Sequence, residues 1–321
     1  MVETVKQIGQ TDLHVAPLGI GTWQWGDTQF WGYGKGYDVD DVITAFWSSI
    51  NAGITFFDTA EVYGSGHSER FLGRLACSTE TKVVVATKFA PLPWRLSAQE
   101  VHRAIDASLQ RLGVQQIDLY QVHWPFTLMS IPSLMHALAD AVAEGKIHAI
   151  GVSNFNATQL QQAHDALSQR GVSLAANQVQ YSLLARGPEV SGVLDTCRSL
   201  GITLIAYSPL AMGLLTGKYK THVMPSGARR YTPRFQTKHL EVVEPVLNLL
   251  REIGSGHGDK TPAQVALNWL IQQDVLPIPG AKNARQAQQN AGALGWSLTD
   301  AEIQTLDEAT APWKRPSGIF R

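Results

Sequence analysis

The chain has 321 residues, of which 44% are hydrophobic and 17% are charged, and its formal net charge is −1. This composition is typical of a globular protein with a sizeable core. The small net charge argues against nucleic acid or an anionic membrane as a partner. The N-terminal segment lacks a basic start and an apolar core, and no run of about 18 apolar residues occurs, so we expect neither a signal peptide nor a transmembrane helix. We predict a cytoplasmic protein, with nothing that indicates an obligatory protein partner.

The chain contains two cysteines, Cys77 and Cys197, without C-x-x-C spacing. One disulfide between them is a possible arrangement. Two reduced thiols in the core fit a cytosolic chain better.

Apolar runs bounded by turn residues predict strands along the whole chain. Residues 5–16, with a Gly-Gln-Thr-Asp turn at their centre, predict a small hairpin. Eight further strands follow in order. They are predicted at 17–21, 54–57, 82–88, 117–123, 146–154, 175–182, 202–210 and 275–280.

Amphipathic periodicity and capping residues predict helices between these strands. Ser97 with Glu100, and Thr299 with Glu302, have the spacing of capping boxes. The segment 188–201 is predicted to form one continuous helix. A long polar insertion over residues 211–237 follows the seventh of the eight strands.

Eight strands separated by helices have the count and order of a (β/α)8 barrel. The structural alternative is a doubly wound open sheet, which normally carries a G-x-G-x-x-G turn after its first strand, and this chain has no such turn. No linker or change in composition divides the chain. We therefore predict an α/β fold, a (β/α)8 TIM barrel with an N-terminal β-hairpin and extra C-terminal helices, in one domain spanning residues 1–321.

Four ionisable residues are predicted at one end of this barrel. Asp58 ends the second strand, Lys88 the third and His123 the fourth, and Tyr63 lies on the loop after Asp58. Each alone has an ordinary structural explanation, respectively a helix cap, a surface lysine, a core histidine and a packing tyrosine. Because all four converge on one mouth, a catalytic site is the better interpretation.

These residues lie within longer motifs that are specific in their spacing. The motifs are LGIGTW, FFDTAEVYGSGHSE, ATK, SLQRLGVQQIDLYQVHWP, GKIHAIGVSNF, NQVQYS, AYSPLAMGLLTGK and PIPGAKNARQAQQN. The chain resembles the aldo-keto reductase superfamily nearly from end to end. The resemblance implies an NADP-dependent oxidoreductase that acts on CH–OH donors and reduces aldehydes and ketones to alcohols, with a catalytic tetrad at Asp58, Tyr63, Lys88 and His123.

The tetrad makes chemical sense for carbonyl reduction, which needs a proton at oxygen. A phenol with a pKa near 10 is a sluggish donor at neutral pH. We expect the Lys88 ammonium, held by Asp58, to lower the pKa of Tyr63 so that Tyr63 is the proton donor. His123 would donate a hydrogen bond to the carbonyl oxygen.

The resemblance also implies the cofactor site. Ser153, Asn154 and Gln178 would bind the nicotinamide carboxamide, Tyr207 would stack on its ring, and Lys282 would meet a 2′-phosphate, which favours NADPH. Ordinary alternatives are a strand-to-helix turn at Ser153–Asn154 and a solvated helix start at Lys282. No metal is expected. The other predicted cofactor contacts are Gly21, Thr22, Trp23, Asp58, Ser208, Pro209, Leu210, Gly213, Gly280, Gln286, Gln289 and Asn290.

Aromatic residues near the strand ends are the candidates for the walls of a pocket for a small carbonyl substrate. We expect the 211–237 insertion and the tail after Pro312 to cover the mouth, and three arginines of the insertion are candidates for contact with cofactor phosphates. These arginines are Arg229, Arg230 and Arg234. The aromatic candidates are Trp23, Trp31, Trp94, Trp124 and Phe126.

Two other functions fit parts of the pattern. A Schiff-base lyase could use Lys88 to attack a carbonyl. An NADPH-binding sensor or auxiliary subunit with little turnover is the non-enzymatic alternative, and it would retain the whole tetrad.

Overall fold

A computed structural model gives the fold of the chain and describes residues 5–220, 223–225 and 231–316. Within these residues, eight parallel strands form one curved sheet in chain order. A two-stranded antiparallel hairpin, β1 (Lys6–Gln7) and β2 (His14–Val15), precedes them. The parallel strands are β3 (Ile20–Gly21), β4 (Phe56–Asp58), β5 (Val84–Phe89), β6 (Ile117–Val122), β7 (Ile147–Ser153), β8 (Leu174–Gln180), β9 (Thr203–Tyr207) and β10 (Leu276–Pro277).

The sheet closes between its first and last strands. The Gly19 and Gly21 amides donate hydrogen bonds to the Pro277 and Pro279 carbonyls at 3.0 and 3.1 Å, and Gly21 forms a parallel bridge with Gly280. With the helices outside the strands, this closure confirms the predicted (β/α)8 barrel and its N-terminal hairpin.

The strands are buried on both faces, which explains why their sequences are runs of apolar residues rather than alternating patterns. Side chains that point outward pack beneath the helices, and a second apolar cluster fills the barrel interior. Ile8, Leu13 and Val15 of the hairpin belong to that interior cluster and are almost fully buried. The hairpin therefore plugs the N-terminal end of the barrel, so its carboxyl end is the end available for a site.

Helices follow the strands, and most begin at polar capping residues. Asn156, Thr261 and Thr299 each form a complete capping box. The capping box predicted at Thr299 is therefore confirmed. The helices in the described residues are α1 (Val39–Asn51), α2 (His67–Ala76), α3 (Ala98–Leu112), α4 (Ile131–Ala143), α5 (Ala157–Ser168), α6 (Gly187–Val190), α7 (Val193–Ser199), α8 (Thr237–Gly256), α9 (Pro262–Gln272), α10 (Ala284–Ala291) and α11 (Asp300–Ala309).

Three local predictions are wrong. Ser97 accepts no capping hydrogen bond, and the Glu100 side chain pairs with Arg103 at 2.5 Å instead of returning to the cap. The predicted helix 188–201 is split into α6 and α7, since Gly192 adopts a left-handed conformation with φ 75°. The two cysteines are free thiols, but only Cys197 is in the core; Cys77 is exposed.

A buried charge network joins the loop after β8 to the C-terminal helices. The Arg186 side chain is 1% exposed and forms a two-pronged ion pair with Glu189, with N···O distances of 2.6 and 2.7 Å. The same guanidinium donates to the Asp307 carbonyl and the Thr310 hydroxyl, both at 2.9 Å. These contacts fasten α11 and the following turn to the barrel.

Candidate active site

Asp58 lies at the carboxyl end of β4 with its carboxylate almost completely buried. One carboxylate oxygen accepts a hydrogen bond from the Lys88 ammonium at 2.5 Å. The other accepts hydrogen bonds from the Gln121 and Gln178 amides, at 3.0 and 2.7 Å. The buried charge is therefore paired and hydrogen-bonded, which is the condition for keeping an ion in a protein interior.

The Lys88 ammonium donates its hydrogen bonds to groups at the base of the barrel mouth and not to the Tyr63 hydroxyl. Its ammonium donates to the Thr59 carbonyl at 2.8 Å as well as to Asp58, and it lies 5.0 Å from the centre of the Tyr63 ring. Burial lowers the pKa of Lys88, and the Asp58 charge opposes that shift. The charged form of Lys88 is therefore stabilised by Asp58.

Tyr63 begins a short 3-10 turn, Tyr63–Gly66, on the loop that follows Asp58. Among the described residues, none forms a hydrogen bond with its hydroxyl, which leaves that group for a ligand. Burial, followed by the negative charge of Asp58, raises the pKa of Tyr63 well above its ordinary value. The predicted lowering of the pKa of Tyr63 is therefore wrong, because burial and the Asp58 charge together raise it.

His123 follows β6 and completes the group of four. Its ring lies edge-on to Tyr63, with the ring centres 5.7 Å apart, and its Nδ1 atom is buried without a partner among the described residues. Burial and the nearby Lys88 charge lower the pKa of His123 well below its ordinary value. The imidazole is therefore neutral at neutral pH and has one N–H to donate.

A second polar network adjoins His123 at the ends of β7, β8 and β9. The Ser153 hydroxyl donates to the Gln178 carbonyl at 2.8 Å, and the Asn154 amide donates to Ser153 Oγ at 3.0 Å and to the His123 carbonyl at 3.2 Å. The Tyr207 hydroxyl donates to Asn154 Oδ1 at 3.1 Å. The four predicted carboxamide and ring contacts therefore form one connected group beside the tetrad.

Backbone strain marks the same end of the barrel. Asn154 has φ 62°, and Ser208, Ala211 and Met212 have φ between 48° and 58°, a region that non-glycine residues seldom adopt. Gly213 follows with φ 98°. Strain of this kind tends to cluster at functional sites. The predicted cofactor residues Pro209 and Leu210 lie inside this strained segment.

Gly280 and Gly21 meet where the barrel closes. A side-chain carbon at position 280 would lie 2.0 Å from the Gln24 amide nitrogen, so the Gln24 side chain occupies the space beside this glycine. Gln24 Oε1 is buried without a partner among the described residues. Thr22 is buried, and its hydroxyl donates to the Asp58 carbonyl at 2.9 Å.

The predicted adenine-side residues Gln286, Gln289 and Asn290 lie along α10, and Lys282 lies just before it. Gln286 Oε1 accepts the Lys282 amide at 3.0 Å, and the Asn290 side chain donates to the Gly280 carbonyl at 3.3 Å. Gln289 is exposed, and its carbonyl accepts the Gln264 side chain at 3.1 Å. The Lys282 and Gln286 backbone is thus held in place at the end of the closing strand.

The aromatic candidates separate into two groups. Trp23 stacks on Tyr63 with ring centres 5.9 Å apart, and Trp124 lies 4.6 Å from His123, so both border the tetrad. Trp31 is buried and packs edge-on against Trp23. In contrast, Trp94 is 70% exposed and Phe126 is 57% exposed, both at the rim.

Arg234 is the one arginine of the insertion that the structure describes; Arg229 and Arg230 lie outside the described residues. The Gln180 amide oxygen, in the orientation that satisfies both groups, accepts from both Arg234 terminal nitrogens at 2.9 and 2.7 Å. Burial raises the pKa of the neighbouring Tyr207 to about 12, and the Arg234 charge opposes that shift. Arg234 therefore lies at the mouth, beside Tyr207.

Sequence reasoning missed several residues that hold the site. Gln121 supports Asp58, and Gln24 covers Gly280. Glu61 accepts two hydrogen bonds from Arg95, at 2.5 and 3.0 Å, and one from the Ala90 amide at 2.6 Å, which fixes the loop after β5. Glu61 and Gln121 lie inside the quoted DTAEVYG and DLYQ motifs, whereas Gln24 lies just beyond the LGIGTW motif.

Comparison with known proteins identifies the family of this chain. The sequence model of the aldo/keto reductase family matches residues 17–311. This chain belongs to the aldo/keto reductase family. Its sequence is 42% identical, over 331 aligned residues, to the chloroplastic pyridoxal reductase of Arabidopsis thaliana, covering 98% of this chain and 89% of that protein.

Solved structures of aldo/keto reductases have the same fold. A glycerol dehydrogenase from Gluconobacter oxydans matches with a TM-score of 0.84 and 28% identity, covering 99% of this chain and 98% of that one. An aldo-keto reductase from Klebsiella pneumoniae, solved in complex with NADPH, matches with a TM-score of 0.76 and 28% identity, covering 100% of both chains.

No helix in residues 5–220, 223–225 and 231–316 is long and apolar enough to cross a membrane. The same residues contain no group of three or more His, Cys, Asp or Glu side chains suited to a metal ion.

Proposed function

We propose that this protein is an NADPH-dependent oxidoreductase that reduces aldehydes and ketones to alcohols, with Tyr63 as the proton donor. The observation that carries the proposal is the grouping of a protonated phenol, a neutral imidazole and a buried Lys88–Asp58 pair at one barrel mouth. Carbonyl reduction needs a proton at oxygen and stabilisation of the charge that develops there.

Each member of the tetrad has a distinct role in this proposal. Tyr63 holds its proton at neutral pH because burial and Asp58 raise its pKa, and it releases that proton to an oxygen that becomes strongly basic during reduction. Neutral His123 donates one hydrogen bond that orients the carbonyl. Lys88, 5.0 Å from the Tyr63 ring centre, stabilises the phenolate that remains.

The residues around the tetrad fit a nicotinamide dinucleotide. Asn154, Gln178 and Ser153 offer amide and hydroxyl groups beside His123, Tyr207 is a half-buried ring next to them, and the buried Gln24 Oε1 lacks a donor among the described residues. NADPH, when bound, supplies the hydride for the carbonyl carbon. Lys282, at the start of α10, is the proposed partner of the 2′-phosphate.

A flat aromatic aldehyde is the substrate we propose to test first. Trp23 and Trp124 flank Tyr63 and His123 with aromatic faces that suit such a ring. The similarity to a pyridoxal reductase makes pyridoxal the first compound of the series. Its aldehyde would be reduced to the corresponding alcohol.

The buried lysine argues against a Schiff-base lyase. Lys88 is fully buried, and its ammonium is bound to Asp58 and to the Thr59 carbonyl, so it is not poised as a free amine. A lyase would form a lysine adduct that borohydride traps in the absence of nicotinamide.

The direct test of the proposal is turnover by the purified protein. The oxidation of NADPH would be followed with pyridoxal and with a panel of small aldehydes and ketones, and the alcohol product would be identified by mass. We expect stoichiometric formation of alcohol and NADP+. Tight binding of NADPH with no alcohol from any carbonyl would contradict the proposal and would favour the sensor alternative.

A further inference from the structure

Lys282 is held by an aromatic residue that the proposed function does not use. The Lys282 ammonium lies 4.0 Å from the centre of the Tyr37 ring and donates a hydrogen bond to the Trp31 carbonyl at 2.8 Å. Both partners come from the loop between β3 and α1, whereas Lys282 follows the last strand. The contact therefore joins the first and last loops of the barrel mouth.

Tyr37 is itself fixed in place. Its side chain is buried, with 7% of the residue exposed, and its hydroxyl donates to the Gln24 carbonyl at 2.6 Å. The Tyr33 ring packs edge-on against it, with ring centres 5.7 Å apart. The Tyr37 carbonyl accepts the Gly34 amide at 2.9 Å. The π face below the ammonium thus has a defined position.

The backbone of Lys282 is fixed from the other side. Its amide donates to Gln286 Oε1 at 3.0 Å, and the preceding carbonyl, of Ala281, accepts the indole N–H of the fully buried Trp25 at 2.9 Å. Lys282 is therefore held at its backbone and at its ammonium. A lysine side chain normally has several freely rotating bonds, and ordering them opposes binding.

We infer that Tyr37 is a positioning residue that makes the protein selective for NADPH over NADH, by holding the Lys282 ammonium where a 2′-phosphate binds. The inference rests on the proposed function. The Trp31 carbonyl, together with the Tyr37 and Trp31 rings whose centres lie 4.0 and 5.5 Å from the ammonium, holds the lysine through groups that carry no net charge. The ordering of Lys282 then precedes cofactor binding, and only the cofactor with the additional phosphate gains from it.

The experiment measures binding rather than turnover. Calorimetry would give the affinities of the cofactor-free protein for NADP+ and NAD+ in wild type, Tyr37→Leu, Tyr37→Phe and Lys282→Ala. We expect Tyr37→Leu to weaken NADP+ binding about three- to tenfold more than NAD+ binding, because the lost cation–π contact acts only through Lys282, whereas the lost hydrogen bond to the Gln24 carbonyl affects both cofactors alike. Tyr37→Phe keeps the π face, so the ratio of the two affinities should match wild type.

A merely structural role for Tyr37 gives a different result. If Tyr37→Leu leaves the ratio of the NADP+ and NAD+ affinities unchanged, whether or not both affinities fall, the inference is wrong. Should Tyr37→Leu fail to fold, Tyr37→Met removes the same π face and is judged by the same ratio. In a Lys282→Ala background, Tyr37→Leu should cause no further change in the ratio, because the two residues act through one ammonium.

The Lys282→Ala variant separates this inference from the proposed function. A change in the NADP+/NAD+ ratio in Lys282→Ala, with none in Tyr37→Leu, overturns only the role of Tyr37. An unchanged ratio in Lys282→Ala removes the proposed 2′-phosphate contact itself, and with it the basis of the inference.

Discussion

The Lys88 ammonium lies 5.0 Å from the centre of the Tyr63 ring, while its hydrogen bonds go to Asp58 and to the Thr59 carbonyl. This arrangement keeps a positive charge near the phenol while the phenol retains its proton. Burial and the Asp58 charge then raise the pKa of Tyr63. The phenol is therefore stored in its protonated form, as a donor for carbonyl reduction, and its conjugate base has an ammonium close by.

The pH dependence of activity follows from the two shifted groups. A raised pKa keeps Tyr63 protonated at every pH below the ordinary tyrosine range, and a lowered pKa keeps His123 neutral well below its usual range. We expect kcat/KM for reduction to be flat between about pH 6 and about pH 9. Alcohol oxidation needs the phenolate and should rise with pH over the same interval.

Rate profiles in both directions check this expectation. A fall in reduction near pH 6.5, where an ordinary histidine gains its proton, would contradict the assignment of a neutral His123. The same fall persisting in His123→Asn would show that another group causes it.

The Lys88–Asp58 pair predicts a specific pattern of stability. Asp58→Asn removes the carboxylate that is bound to the fully buried Lys88 ammonium, and we expect it to lower the free energy of unfolding by about 3 kcal/mol. Adding Lys88→Met to Asp58→Asn should recover part of that loss, since no unpaired charge is left. Urea unfolding of the single and double variants measures both effects. Additive losses would show that the unpaired charge is not the cause.

The Arg186–Glu189 pair predicts how stability depends on pH. The hydrogen bonds and charge of Arg186 lower the pKa of Glu189 in the folded protein, although burial opposes them. The stabilisation is thus fully present above the unfolded glutamate pKa of about 4.3, and it is lost as the pH falls through the lower folded value. We expect Glu189→Gln to be less stable than wild type at pH 7, and the difference to shrink below about pH 4.

Urea unfolding at several pH values tests this linkage. A difference between wild type and Glu189→Gln that stays constant down to acid pH would contradict it. Glu308→Gln is the control, because Glu308 lies on α11, which the Arg186 network fastens, but accepts its hydrogen bond from Gln304 instead of Arg186.

The two groups of aromatic residues should differ in their effect on catalysis. Trp23 stacks against Tyr63, whereas Trp94 is 70% exposed at the rim. We expect Trp23→Leu to raise KM for an aromatic aldehyde and to lower kcat about tenfold, because the donor loses a packing neighbour. Trp94→Leu should change both constants less than threefold. Equal effects of the two substitutions would show that Trp94 also borders the substrate.

The barrel and the positions of the tetrad were predictable because both follow from strand ends. Asp58 is the last residue of its buried strand, Lys88 the last but one, and His123 directly follows its strand, and parallel strands bring those ends together. Contacts across the barrel were not predictable in this way. Gln178 bonds to Asp58, 120 residues earlier, and no periodicity indicates which side chains meet inside the barrel.

The direction in which the pKa of Tyr63 shifts could not be predicted from the sequence either. The motif predicts that Lys88 and Tyr63 are neighbours, but the pKa of Tyr63 depends on which atoms take the ammonium hydrogen bonds and on how much water the phenol loses. Likewise, the Tyr37–Lys282 contact joins loops from opposite ends of the chain. Such contacts depend on three-dimensional packing rather than on local spacing.

The proton-donor role of Tyr63 is tested most directly by Tyr63→Phe. The variant keeps the ring that packs against Trp23 and His123 and lacks only the hydroxyl. We expect NADPH affinity to remain within about twofold of wild type, while kcat for pyridoxal or another reducible aldehyde falls at least about a hundredfold. Turnover by Tyr63→Phe at the wild-type rate, with alcohol as the product, would contradict the role assigned to this tyrosine.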